Sequence, residues 1–391
     1  MINGQQVFDA DTHIHPSIGA LGPYLDSSFK KRMVEFQKYV VGARSDQTTT
    51  PREDPSRHHY ALGLTPFRRV LGQAAAAEAP KDAHSRLHFG NYSGDVLPGV
   101  GVIDDAFDLR IADMDREGTD VHMMVPDTGI GLSTLGDPTI EMSLISAYHR
   151  LADDFVSRYP GRFMALLAVS GTSIESSVAE IQRWGKSDWA AGVLPFASLD
   201  RPLDHPDMEP IYAAAAEVNL PILHHSMTWV APYFPGYQNM DDNRFLARLC
   251  SHPWGAMKFM GSMFGSGVLD RYPNLRVGTL ESGVGWLPFW VRRIEEQVDY
   301  VGFTADLQKK TSEYIADGRF CASIEMTEDE DMIKMVMDFL GDHVLMYASD
   351  YPHAECEFPE SPSKVMAWSS IREDSMKKLM WDNAARFFGR K

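Results

Sequence analysis

Apolar residues along this chain gather in short runs, separated by longer stretches in which they recur every three or four positions. The runs are VFDADTH (7–13), VHMMVP (121–126), MALLAV (164–169), GVLPF (192–196), PILHH (221–225), LRVGTLE (275–281), CASIEM (321–326) and VLMYASD (344–350). Many are continuously apolar rather than alternating, as expected of parallel strands covered on both faces. The intervening stretches predict helices. Phe107, Ile111 and Met114 share one stripe of 105–118, which Gly118 stops. Leu144, Tyr148, Leu151 and Phe155 do the same within 141–161, ahead of a Pro–Gly end. Segments 286–301, 328–341 and 374–389 read as later helices, the last one closing the fold. Eight strand candidates alternating with helices predict an α/β chain, a (β/α)8 TIM barrel forming a single domain over 1–391.

One segment breaks the alternation. After a possible helix at 27–40, a polar stretch dotted with Pro and Gly runs from about 42 to 101. It is too long for an ordinary strand-to-helix loop, so a lid or a partner surface is expected. Because this insertion follows the first strand, it should emerge at the C-terminal face of the barrel, where active sites are built. Its histidines, His58, His59, His84 and His88, read as solvated loop residues or, if the segment folds over the barrel mouth, as groups that reach the site.

Composition narrows the partners. With 44% hydrophobic and 11% aromatic residues, the chain can bury a large core. Its 54 acids against 37 bases give a formal charge of −17, which argues against nucleic acid or an anionic membrane surface as the main partner. No apolar run approaches a membrane span. The opening MINGQQVFDADTH lacks the basic and apolar regions of a signal peptide. Cys250, Cys321 and Cys356 are widely spaced and form no CxxC, so neither a disulfide framework nor a thiolate zinc site is expected. A cytoplasmic protein acting on a small molecule is the expectation.

Chemistry concentrates where strands end. His13 and His15, preceded by Asp11, close the first run; His224 and His225 close the fifth; Glu281 closes the sixth and Asp350 the eighth. Residues i and i+2 of a strand point to the same side, so two imidazoles of an HxH pair can grip one ion. Charged groups at the ends of apolar runs are costly to bury unless paired or coordinated. Their convergence on one barrel mouth predicts a metal cage.

These residues resemble the amidohydrolase superfamily: HxH after strand one, His after strand five and Asp after strand eight. HIHP, LDRYPNLRV, ESGVGWLPFW and ASDYPH look like the branch that includes aminocarboxymuconate-semialdehyde decarboxylase and the resorcylate-type decarboxylases. The resemblance covers about 7–16 and 105–388 and leaves out the insert. It implies that His13, His15, His225 and Asp350 hold the metal, with Asp350 also catalytic. Within LPILHHS the family's spacing selects His225, and His224 is the other candidate for that place. Strand four ends Leu194–Pro195–Phe196 and offers no lysine for a two-metal bridge, so one divalent ion is expected: zinc, with manganese, iron or cobalt also suited. The family's strand-six histidine is replaced by Glu281, which could act as a base or join the metal shell.

The loop after strand five carries Trp229, Tyr233, Phe234 and Tyr237, a wall suited to a planar substrate or an aromatic cluster packing the loop down. His224 and His353 are further candidates for substrate contact. The resemblance favours metal-dependent C–C cleavage without redox change, most readily decarboxylation of an aromatic or unsaturated carboxylic acid. The alternative is a metal-hydroxide hydrolase of an amide, a lactone or a C–C bond in a meta-cleavage-type substrate. A retired barrel serving as a scaffold is the third reading. The resemblance also implies a homodimer.

Overall fold

Eight parallel strands stand side by side in sequence order: β1 (Phe8–Ile14), β2 (Val121–Pro126), β3 (Phe163–Ser170), β4 (Ala190–Phe196), β5 (Ile222–His225), β6 (Val277–Leu280), β7 (Phe320–Ser323) and β8 (Leu345–Met346). The computed structural model describes residues 1–14, 21–31, 107–126, 138–197, 201–226, 244–352 and 356–390. The expected insert at about 42–101 and most of the expected 27–40 helix lie outside these; Ser27–Lys31 is helical. Every residue of the eight strands is buried, the pattern that their continuous apolar composition predicts.

The sheet closes on itself. Ala10 N donates to Tyr347 O at 2.9 Å, and Asp350 N donates to Asp11 O at 3.1 Å, so β1 meets the chain that continues β8. Together with the helices outside the strands, this is a (β/α)8 barrel. The helices that matter here are α1 (Phe107–Glu117), α2 (Pro138–Arg158), α3 (Ile174–Trp184), α4 (Glu209–Glu217), α5 (Arg244–Gly265), α6 (Leu287–Val301) and α7 (Glu330–Leu340).

Local chemistry sets several boundaries. The α1 helix stops at Gly118, whose φ of 87° suits a residue without Cβ. The α7 helix begins where the Asp329 side chain accepts from Met332 N at 2.9 Å, with Glu330 and Asp331 in its first turn. After α7 and β8, helical segments from Glu373 to Phe387 pack back on the start of β1. Phe8 lies 5.8 Å from both Trp381 and Phe388.

Strands seven and eight are shorter than their apolar runs. Ile324, Glu325 and Met326 leave the strand, and the residues after Met346 exchange ladder pairing for the closing bonds to β1. No helix of the described residues is long and apolar enough to cross a membrane. All three cysteines are free.

Candidate metal centre

The period of two along β1 decides which side chains reach the barrel mouth. Asp11 and His13 point one way. Thr12 points the other, its hydroxyl donating to Met123 O at 2.9 Å and accepting from Arg110 Nη2 at 2.8 Å. Arg110 Nη1 also donates to His13 O at 2.7 Å. A fully buried guanidinium thus holds the strand from behind while its acidic and imidazole side chains face forward.

Three other strand ends complete the cluster. His13 Nε2 is 2.8 Å from Asp350 Oδ1, 3.6 Å from Glu281 Oε2 and 3.7 Å from Asp11 Oδ1. His225 Nε2 is 3.0 Å from Glu281 Oε2 and 3.6 Å from Asp11 Oδ1. The ring centroids of His13 and His225 are 4.8 Å apart. All five side chains are buried. His225 Nδ1 donates to Ser226 O at 2.8 Å, which orients the ring so that Nε2 faces the cluster.

The backbone carries strain at this place. Glu281 has φ 45° and Asp350 φ 63°, left-handed values that residues with a Cβ adopt at a cost of order 1–3 kcal/mol. Hydrogen bonds hold each turn. Glu281 N donates to Ser323 Oγ at 3.2 Å, and the loop beyond it is clasped by Glu328, which accepts from Val284 N at 2.7 Å and Gly285 N at 3.0 Å.

Three carboxyls and two imidazoles in one dry volume compete for positive charge. Burial raises the Asp11 carboxyl, and Asp350 adds to this against the pull of His225 and His13. Burial acts to lower His225, but the Asp11 and Glu281 carboxylates outweigh it and hold the imidazole well above its usual range. Burial acts to raise Glu281, yet His225, His252 and His13 together hold it well below. Among the described residues, both carboxylate oxygens of Asp11 lie beyond hydrogen-bonding distance of any donor. Such a set is stable around shared protons or around a cation. One donor atom from each of Asp11, His13 and His225 lies within 4.8 Å of the others, and the same holds for His13, Glu281 and Asp350, so the residues present fit a divalent ion.

Of the residues expected from the sequence, His13, His225, Glu281 and Asp350 are brought together. His15, Trp229, Tyr233, Phe234, Tyr237 and His353 lie outside the described residues. His224 faces the opposite way from His225, and the expected substrate contact there gives way to packing. Its ring stacks on Phe259 of α5 at 5.4 Å with an interplanar angle of 19°. Burial, with His225 next to it, pushes its pKa down to about 3, so this imidazole is neutral.

Two residues of the cluster have no role assigned from the sequence. Asp11 shares the strand parity of His13, and that parity was the available signal. His252 on α5 brings Nδ1 to 3.8 Å from Glu281 Oε1 and 4.0 Å from Glu325 Oε1. Nothing in the sequence distinguishes it from any other helical histidine.

The family model for amidohydrolases (Amidohydro_2) matches residues 10–390, and the chain belongs to this family. Similar solved structures share its fold. One is an amidohydrolase from Mycobacterium avium subsp. paratuberculosis, 20% identical with a TM-score of 0.70, covering 99% of each chain. Another is 5-carboxyvanillate decarboxylase from Novosphingobium aromaticivorans with bound manganese, 19% identical with a TM-score of 0.66, covering 99% of this chain and 97% of that one. A third is 2,6-dihydroxybenzoate decarboxylase from Rhizobium, 17% identical with a TM-score of 0.58, covering 72% and 88%.

Proposed function

We propose that this amidohydrolase-family chain is a metal-dependent carboxy-lyase that removes CO2 from an aromatic or unsaturated carboxylic acid. The observation that carries the reading is the buried convergence of Asp11, His13, His225, Glu281 and Asp350 at the C-terminal ends of the strands. Similar structures of aromatic-acid decarboxylases support the reaction class. His13, His225 and Asp350, with His15 from the motif, would hold one divalent ion, and Asp11 is close enough to join them. Manganese is favoured over the zinc first expected, because a similar decarboxylase holds manganese and the donor set includes carboxylate. When bound, the ion supplies a Lewis acid that polarises a substrate oxygen.

The chain's own residues account for the proton. As the bond to the carboxyl carbon breaks, its electron pair stays on the remaining carbon, which must take a proton. Asp350 and Glu281 both stand near His13 Nε2, at 2.8 Å and 3.6 Å, and either carboxyl can deliver that proton and regain one from water. Trp229, Tyr233, Phe234 and His353 would wall the substrate.

A second reading is favoured by Glu281, a carboxylate where the resemblance calls for histidine. Flanked by His225 and His252, it suits a base that takes a proton from water during hydrolysis of a lactone or vinylogous ketone. One panel decides between them. Manganese-loaded protein is offered hydroxybenzoate-type acids, with CO2 release as the readout, and lactones or meta-cleavage-type compounds, with product acids as the readout. CO2 from the first set supports the lyase. Turnover of the second set alone replaces it with the hydrolase, and inertness to both, whatever the metal, refutes both.

A further inference from the structure

A second buried group of metal-binding side chains lies apart from the barrel mouth, where α1 leads into β2. Asp9 on β1, Glu117 at the end of α1 and His122 on β2 each offer one donor atom, and those atoms lie within 4.8 Å of one another. Asp9 and His122 are paired in the register of β1 and β2, and Glu117 sits just before the turn at Gly118 that leads into β2. All three are buried, Asp9 and His122 completely.

His122 is the informative member. Among the described residues neither ring nitrogen has a hydrogen-bond partner, although the side chain is buried. Its ring packs among aromatic groups, 5.4 Å from Tyr351 and 6.5 Å from Phe163. Buried polar groups are nearly always partnered, and an imidazole with two unmet nitrogens beside two carboxyls needs an explanation.

The carboxyls have donor capacity to spare. Glu117 Oε2 accepts from Thr119 Oγ1 at 2.9 Å, and the Ser361 hydroxyl also acts on this carboxyl, while Oε1 has no hydrogen-bond partner among the described residues. Asp9 Oδ1 accepts from Ser349 N at 3.0 Å and Asp11 N at 3.3 Å. Asp9 Oδ2 accepts from Ser349 Oγ at 2.5 Å, which leaves it a further lone-pair direction. We propose that Asp9, Glu117 and His122 form a second, structural cation site, taking a divalent ion of the manganese or zinc type and tying β1 and β2 to α1.

The electrostatics agree with that assignment. Burial raises both carboxyls, Asp9 further through the charge of Glu117, and Glu117 to about 7. Burial, then the nearby Arg110 and Arg162, holds His122 well below its usual value, so the imidazole is in its neutral, ligating form. A divalent ion would add countercharge directly between the two carboxylates. Two carboxylates and an imidazole match the donor preferences of these ions. The site also reaches the mouth of the barrel. Asp9 accepts both the amide and the hydroxyl of Ser349, and that hydroxyl accepts from Tyr351 N at 3.0 Å, so the two residues flanking Asp350 are anchored through Asp9.

Metal content tests the site without reference to any reaction. The full chain, stripped with a chelator and then equilibrated with excess manganese, is desalted and analysed for ions per chain, alongside Glu117→Gln, His122→Phe and His225→Ala. Two equivalents are expected in the unaltered protein, falling to one in Glu117→Gln and in His122→Phe, with His225→Ala losing the other. One equivalent that disappears in His225→Ala and survives Glu117→Gln overturns the second site. One equivalent with the reverse pattern supports it and instead removes the ion from the barrel mouth. No bound ion overturns both. Should the variants fail to fold, anomalous scattering from manganese-soaked crystals of the unaltered protein decides: a peak between Asp9, Glu117 and His122 is expected, and a flat map there overturns the proposal.

Discussion

His13 Nε2 and Asp350 Oδ1 stand 2.8 Å apart across the seam that closes the barrel. Strand one supplies one side of this contact and the chain beyond strand eight the other, so barrel closure itself assembles the candidate centre. Asp350 N bonds to Asp11 O in the same seam. The backbone position is therefore held independently of the side chain, and Asp350→Asn should fold normally. It is expected to lose metal and to lower turnover by roughly 10²–10⁴-fold, the range for removing a group that transfers a proton in the transition state. Circular dichroism, ion content and CO2 release check the three parts. Undiminished turnover would remove Asp350 from the mechanism.

Glu281 carries a second, separable expectation. Its carboxylate lies between His225 and His252, at 3.0 Å and 3.8 Å, and its backbone is pinned by Ser323. Glu281→Gln preserves shape and removes only the capacity to take or give a proton. We expect kcat to fall by about 10²-fold or more while KM stays close to that of the unaltered protein. A change confined to KM refutes the proton-transfer role and leaves Glu281 as a binding group.

The alternation of apolar runs and helical stripes made the barrel legible, because burial on both faces leaves a compositional trace in parallel strands. His13, His225, Glu281 and Asp350 were legible for a related reason: each follows an apolar run whose burial makes a polar residue conspicuous. Asp11 was visible and passed over, since an acid two positions before a histidine gains meaning only when the strand's facing is known. His252 and His122 carried no signal. One reaches Glu281 from the middle of a helix, and the other is set beside Asp9 by strand register, relations that depend on tertiary packing alone. His224 shows the limit of adjacency: the strand period sends it to Phe259 while its neighbour goes to the cluster.

Away from the mouth, α2 and α3 are joined by a buried polar contact that should make stability depend on pH. Glu180 Oε2 is 2.5 Å from His149 Nδ1 and accepts from Trp184 Nε1 at 3.1 Å, while Oε1 accepts from Ser146 Oγ at 2.9 Å. Burial acts to raise the Glu180 carboxyl, but these partners, His149 foremost, bring it below its reference value of 4.5. A native pKa below the unfolded one means that the unfolded chain takes up the proton first. The stabilisation is thus in place above 4.5 and is lost as pH falls through the lowered native value. Glu180→Gln should cost about 1–3 kcal/mol at neutral pH, with the deficit shrinking in acid. Urea unfolding at neutral pH and at a series of pH values below 4.5 measures this, and a deficit that stays constant across that series would mean the ionised form contributes nothing.

The back of the fifth strand offers a test of how rigidly His225 is held. A Cβ placed on Gly255 of α5 would lie 2.9 Å from His224 Nε2 and 3.3 Å from its Cε1. The His224 ring also stacks on Phe259, one turn further along the same helix, so the ring is engaged by α5 at two adjacent positions. Alanine gains about 1 kcal/mol over glycine in a helix interior. Overpacking a buried contact of this kind costs about 1–3 kcal/mol. The two terms oppose, and the contact distance favours the second, so Gly255→Ala should lower the melting temperature although it improves helix propensity. Because His224 and His225 share one backbone, relief of the clash by shifting the strand should weaken metal retention as well. Removing the obstacle separates the causes. In a His224→Ala background the same substitution should become neutral or stabilising, so a double-mutant cycle by thermal melting should show coupling of about 1 kcal/mol or more. Additive effects of the two substitutions would show that α5 yields freely, and that the strand bearing His225 is not braced from behind.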